Sequence, residues 1–144
     1  MKTVLMSAVL LLASAPALAQ ELGAAVFEKN CVVCHQPKGQ GAPGFAPRLA
    51  GTLGERSGTE TGRRYLAQLV VSGMMGPIVS GGEKFNDAMP GFAALADEEI
   101  VAVLGYVLGE LNGVPGAARV TQVEVALARQ RVMSPAEVRR LRER

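Results

Sequence analysis

Tryptophan is absent from this 144-residue chain, histidine occurs once and cysteine twice, and four Phe and two Tyr are all the rings it has. Two cysteines make at most one bridge, which excludes a small scaffold held together by disulfides. Charged residues are sparse at 19%, yet 49% of the chain is hydrophobic, too apolar for disorder throughout. After the first twenty residues no apolar run approaches the roughly 20 residues that span a bilayer. The length suits one compact domain and is too short for two full ones. The shortage of aromatics is the most telling absence: a small core with so few large rings needs another apolar body to fill it.

The N-terminus reads as an export signal. Lys2 supplies a positive start, Val4 to Leu12 is almost wholly apolar, and Ala17-Leu18-Ala19 is a small-x-small cleavage pattern. Cleavage after about Ala19 is expected, giving residues 1–19 as signal and an exported mature chain with no membrane span. The mean hydropathy of +0.21 is inflated by this segment. The mature charge is nearly balanced but unevenly spread. Residues 20–113 hold seven basic and ten acidic groups, residues 114–144 seven Arg and three Glu. Scattered charge of this kind gives no footprint for nucleic acid, and the basic C-terminal stretch stands apart as its own element.

Both cysteines and the lone histidine fall in Cys31-Val32-Val33-Cys34-His35. C-x-x-C-H is the attachment signature of a c-type haem. Two thiols three residues apart on one turn can each add to a porphyrin vinyl group, and the next residue then offers an imidazole nitrogen to the iron. Three other readings compete. A disulfide across C-x-x-C closes a tiny loop, stabilises little and leaves His35 without a role. A zinc site needs four ligands, and no second Cys or His cluster supplies them. A thioredoxin-like redox pair needs a strand-to-helix context, whereas an amphipathic helical stretch precedes this motif.

With no other histidine, methionine is the natural second axial ligand. Met1 and Met6 lie in the signal and Met133 in the tail. Met89 stands in Asn86-Asp87-Ala88-Met89-Pro90-Gly91-Phe92, where Pro90 pushes it towards extended backbone, so a loop can present its thioether. Met74 and Met75 are second choices, or ordinary core. An iron held by His and Met has a raised potential and no open position, which suits reversible electron transfer.

These motifs together resemble a class I c-type cytochrome of the bacterial periplasmic kind, over about residues 21–112. Gly23-x-x-x-Phe27 resembles the family's N-terminal helix, where glycine lets the C-terminal helix cross closely, and Val103 and Tyr106 resemble its partners. The resemblance implies an all-α fold wrapped around one covalently attached haem, with His35 and Met89 on the iron. It also implies that the carbonyl of Pro47, twelve residues after His35, accepts the imidazole N–H. The segment Gly73 to Phe85 is similar to a loop in haem subunits of periplasmic dehydrogenases. Arg48 is the first candidate for the haem propionates, with Arg63, Arg64 and Lys84 behind it. The rim expected to exchange electrons lies near Val32, Val33, Gln36, Pro37 and the residues after Pro90.

The local patterns agree. Helices are expected over Leu22–Asn30, Arg63–Ser72 and Asp97–Leu111, a Gly- and Pro-rich loop over 36–62, and a small hairpin around Ser80-Gly81-Gly82-Glu83. A cytochrome c domain thus occupies 20–113 and a basic helical extension 114–144. Within the extension, Thr121-x-x-Glu124 and Ser134-x-x-Glu137 are capping boxes that start helices over about 122–130 and 135–142. Val123, Ala126 and Leu127 are the expected apolar stripe. The extension either lies on the domain or docks a partner subunit.

Two functions of different class follow. One is a periplasmic one-electron carrier, or the cytochrome subunit of a dehydrogenase, whose partners are redox proteins such as that dehydrogenase or a terminal oxidase. The other is a haem enzyme or gas sensor with an open iron position. In either case the porphyrin completes a core that lacks rings. The haem-free chain is therefore expected to be largely unfolded by circular dichroism; a helical, cooperatively melting haem-free chain would contradict this.

Overall fold

The structure is a computed structural model and describes residues 14–116 and 119–143. The apolar stretch Val4–Leu12, expected as the core of the export signal, lies outside the described residues. In chain order the elements are α1 (Ser14–Asn30), α2 (Val32–His35), a 3-10 turn (Pro37–Gly39), α3 (Gly54–Ser57), α4 (Glu60–Ser72), β1 (Ile78–Ser80), β2 (Glu83–Phe85), α5 (Asp97–Gly109), α6 (Gln122–Gln130) and α7 (Pro135–Arg142). The fold is thus helical with one small two-stranded sheet, as expected. Four boundaries differ from the sequence reading, the first being that α5 ends at Gly109, two residues before Leu111. α1 starts upstream of Leu22, α4 starts three residues before Arg63, and the 36–62 loop contains both the 3-10 turn and α3.

α1 and α5 cross closely, and glycine makes the crossing possible. A Cβ added at Gly23 would lie 2.2 Å from the Ala102 carbonyl oxygen and 2.9 Å from Tyr106 Cβ. One turn further on, Phe27 packs its ring on Tyr106 with centroids 5.4 Å apart. Phe27, Val26, Val103 and Val107 form one buried cluster. α5 begins at acidic Asp97, Glu98 and Glu99, which suit the positive end of its dipole. Ala96 has no side-chain acceptor for the first turn, but the Glu99 carboxylate still receives the Ala96 N–H at 2.8 Å.

α4 is the central strut of a second cluster. Thr59 caps it, its hydroxyl accepting from Gly62 N at 3.0 Å. Tyr65, Leu66, Ala67, Val70 and Val71 are buried and pack with Ile100, Leu104 and Leu108 of α5. The other side of this cluster comes from the extension. Val114, Val120, Val125, Ala128 and Val138 are all buried within it. Both capping boxes are formed, with Thr121 N–H and Ser134 N–H each donating to the glutamate three residues on at 2.8 Å. The residues of the stripe expected on α6 are not the ones that meet the domain. Val125 and Ala128 face inwards, whereas Val123 is 68% and Leu127 45% exposed. The cap at Thr121 sets the helical phase, and Glu124, which ion-pairs with Arg63 of α4, fixes that face inwards.

The hairpin turns at Gly81 and Gly82, both at positive φ (+58° and +82°). Tight hairpin turns need that conformation at two successive residues, and glycine adopts it freely. Ile78 pairs with Phe85 and Ser80 with Glu83.

Gly23→Ala should destabilise the haem-loaded protein by about 1–3 kcal/mol in denaturant unfolding, the usual cost of overpacking. Alanine is the better helix former by about 1 kcal/mol, so unchanged or raised stability would mean the crossing relaxes freely.

Candidate functional site

α2 is a single turn, and it ends abruptly. Gln36 stands at φ +61°, a region costly for a residue with a side chain, so the chain leaves the helix right after His35. His35 is 8% exposed, and its Nδ1 lies 2.9 Å from the Pro47 carbonyl oxygen. A carbonyl can only accept, so the proton sits on Nδ1 and Nε2 keeps a free lone pair. Burial lowers the His35 pKa, opposed by the bond to Pro47. The loop that brings Pro47 round relies on Gly41, at φ +77°, where a Cβ would fall 2.6 Å from the Arg48 amide nitrogen.

His35, Cys31 and Cys34 line one cavity of about 310 Å³. Neither thiol is in a disulfide. The Cys31 pKa is pushed up to about 11, first by burial and then by the neighbouring Cys34. A redox-active or metal-binding cysteine needs a thiolate and has its pKa lowered, so Cys31 has the opposite electrostatics. Among the described residues no cluster of three or more His, Cys, Asp or Glu could hold a metal ion. The remaining walls are mostly apolar: Val33, Phe45, Leu49, Leu69, Ile78 and Phe92, with Met74 and Met89. Met74 and Met89 are joined as a two-way backbone bridge, with N···O distances of 2.9 and 2.8 Å. Met75, a second choice from sequence, is 50% exposed and absent from the cavity wall. Alternation along extended backbone sends its neighbour Met74 inwards instead, where Met74 Sδ accepts from the Tyr65 hydroxyl at 3.5 Å.

A cavity of this size, apolar with a few placed polar groups, has the character of a ligand site. Two thiols and an unprotonated imidazole nitrogen on its wall are the donor set that a covalently attached haem requires.

The sequence profile of the family described as "Cytochrome c" matches residues 20–109. The chain belongs to the cytochrome c family. Two relatives from Thermus thermophilus, both named cytochrome c-552, are each 40% identical to it. One is matched over 141 residues, 96% of this chain and 93% of the relative; the other over 119 residues, 81% and 90%. The first match leaves too little of the chain uncovered to omit the extension. This cytochrome is accordingly an electron-transfer haem protein with one covalently bound haem c.

The candidate propionate residues separate in space. Arg48 lines the cavity wall, with its Nε donating to the Ala50 carbonyl at 3.0 Å. Lys84 lines a larger opening that adjoins the cavity. Arg63 and Arg64 line neither; Arg63 binds Glu124 at 3.0 Å and Arg64 reaches Glu60 at 3.5 Å. Sequence reasoning missed Tyr65, Arg56 and Arg142. Tyr65 and Arg142 line the cavity, and Arg56 and Arg142 line its opening. Nothing marks Arg142 among the arginines of the extension until α7 is placed.

Replacing Tyr65 by Phe removes the hydroxyl that meets Met74 Sδ and leaves the packing. The hydroxyl also accepts from Arg142 Nη1 at 3.4 Å, so the variant should lose about 1–2 kcal/mol in denaturant unfolding, the usual net worth of one or two hydrogen bonds; unchanged stability would mean that neither bond contributes.

Proposed function

We propose that this cytochrome is an exported one-electron carrier whose iron is held between His35 and Met89. The observation that carries the reading is that Met89 lines the same cavity as Cys31, Cys34 and His35. A haem bound there supplies an iron that cycles between ferric and ferrous states. The chain's residues do the rest. Pro47 fixes the His35 ring and raises its basicity as a ligand. Met89 would offer its thioether to the iron, a ligand that raises the potential and leaves no place for small ligands. The backbone bridge to Met74, at the end of α4, holds the Met89 loop in place.

Docking is assigned to the lip of the cavity. Val33 is 78% and Phe45 50% exposed there, and both line the cavity. A small, weakly charged apolar contact suits brief encounters between redox proteins. The extension supports a free carrier over a fixed dehydrogenase subunit, because Val125 and Val138 are already buried within this chain. Export is supported by the start of α1. Ala17, Leu18 and Ala19 are exposed, so cleavage after Ala19 would take nothing from the core. Among the described residues no helix is long and apolar enough to cross a membrane. A periplasmic location and a redox partner such as a dehydrogenase or terminal oxidase follow from this reading.

Met89→Ala should lower the reduction potential and let the ferrous protein bind carbon monoxide, whereas Met75→Ala should change neither. Spectroscopic titration with carbon monoxide checks both. Ready binding by the unaltered protein would favour the gas-binding or enzymatic reading with an open iron position.

A further inference from the structure

Arg142, the last residue of α7, lies on the wall of the haem cavity and also on that of its opening. It stands one turn after Val138, so the two share a helical face. Val138 is fully buried and thereby aims Arg142 at the cavity. Arg142 Nη1 lies 3.4 Å from the Tyr65 hydroxyl, and Nη2 donates to the Val79 carbonyl at 3.1 Å. Arg56 of α3 meets it there. Arg56 Nη1 donates to the Arg142 carbonyl at 3.1 Å, and its guanidinium carbon sits 5.1 Å from the centre of the Tyr65 ring.

Two guanidinium groups thus gather on one buried tyrosine. Among the described residues neither has a carboxylate within 4 Å, although Arg63 and Arg129, similarly half-buried, each have one. Of the acids on the opening, Glu143 binds Arg139 and Asp87 makes no ion pair with either arginine; Lys84 adds a further positive charge. Burial lowers the Arg56 pKa, and the charge of Arg142 lowers it further. Like charges gathered out of water without an acid are costly unless an anion joins them, and a planar guanidinium fits a carboxylate through two parallel hydrogen bonds. The haem brings two such carboxylates into this cavity.

We propose that Arg142 and Arg56, with the Tyr65 hydroxyl, form the site that receives a haem propionate, making α7 a clasp that closes on the bound group. The proposal rests on the haem reading. It gives the extension a purpose: α6 and α7 pack on α4 so that one cation from the far end of the chain reaches the cofactor. Arg142 is a positioning residue here, and its side chain ties the last helix to the occupant of the cavity.

The test uses the full-length, haem-loaded protein with Arg142→Gln, Arg142→Lys and, as control, Arg140→Gln on the exposed face of the same helix. Redox-induced infrared difference spectra report the propionate carboxylate stretches, and amide hydrogen exchange reports α7. R142Q should shift a carboxylate band, lower the potential and speed exchange in α7 by about tenfold or more, as expected for loss of a charge-assisted hydrogen bond. R142K should fall between R142Q and the unaltered protein, and R140Q should match the unaltered protein. Carboxylate bands and potential unmoved in R142Q would overturn the proposal, even with α7 loosened, because loosening alone is a structural effect. Covalent haem and the visible spectrum, read in every variant, test the haem reading separately.

Discussion

The hydrogen bond between His35 Nδ1 and the Pro47 carbonyl joins two parts of the chain that must be fixed together for a haem to be held, and much of the site follows from it. It selects the tautomer, leaving the Nε2 lone pair free to act as a ligand. It also closes the glycine-rich segment after α2 into a wall. Gly39 reinforces that wall, its carbonyl accepting from both Leu49 and Ala50. If the ring turned away, a buried imidazole would lose its partner. The abrupt end of α2 at Gln36, in a costly backbone conformation, belongs to the same arrangement, since a further helical turn would carry the chain past Pro47.

The shortage of large rings is met in two ways. Around α1 and α5 the chain approaches itself closely, through Gly23 on one side and Phe27 against Tyr106 on the other. Around α4 the gap is filled from the far end of the chain, by valines of α6 and α7. Among the described residues neither group of contacts fills the cavity of about 310 Å³ beside His35. A porphyrin bound there would complete the packing, which would make cofactor and fold one problem in so small a protein. α4 links the two: its buried face holds the extension, its Tyr65 reaches the cavity, and the turn after it presents Met74 to Met89.

Much of this was legible in the sequence because it rests on local rules. C-x-x-C-H is a contiguous motif, the capping boxes at Thr121 and Ser134 placed α6 and α7 to the residue, and Gly81-Gly82 announced its hairpin. Pro47 was found through family resemblance, since nothing local makes one proline carbonyl an acceptor. The misses share a different cause. Facing direction in α6 depends on an ion pair with Arg63, sixty-one residues away, so the pattern of Val123, Ala126 and Leu127 could not say which side of the helix meets the domain. Met75 and Met74 differ by one position in extended backbone, and only the bridge to Met89 decides which turns inwards. Arg142 and Arg56 are eighty-six residues apart, and their meeting is a fact of tertiary packing alone.

The central claim is that the two thiols beside His35 carry one haem. It is tested most directly on the protein purified from its native host, by intact mass together with iron content. The account predicts the mass of the cleaved polypeptide plus one haem, and one iron per chain. The mass of the polypeptide alone, without iron, would contradict it.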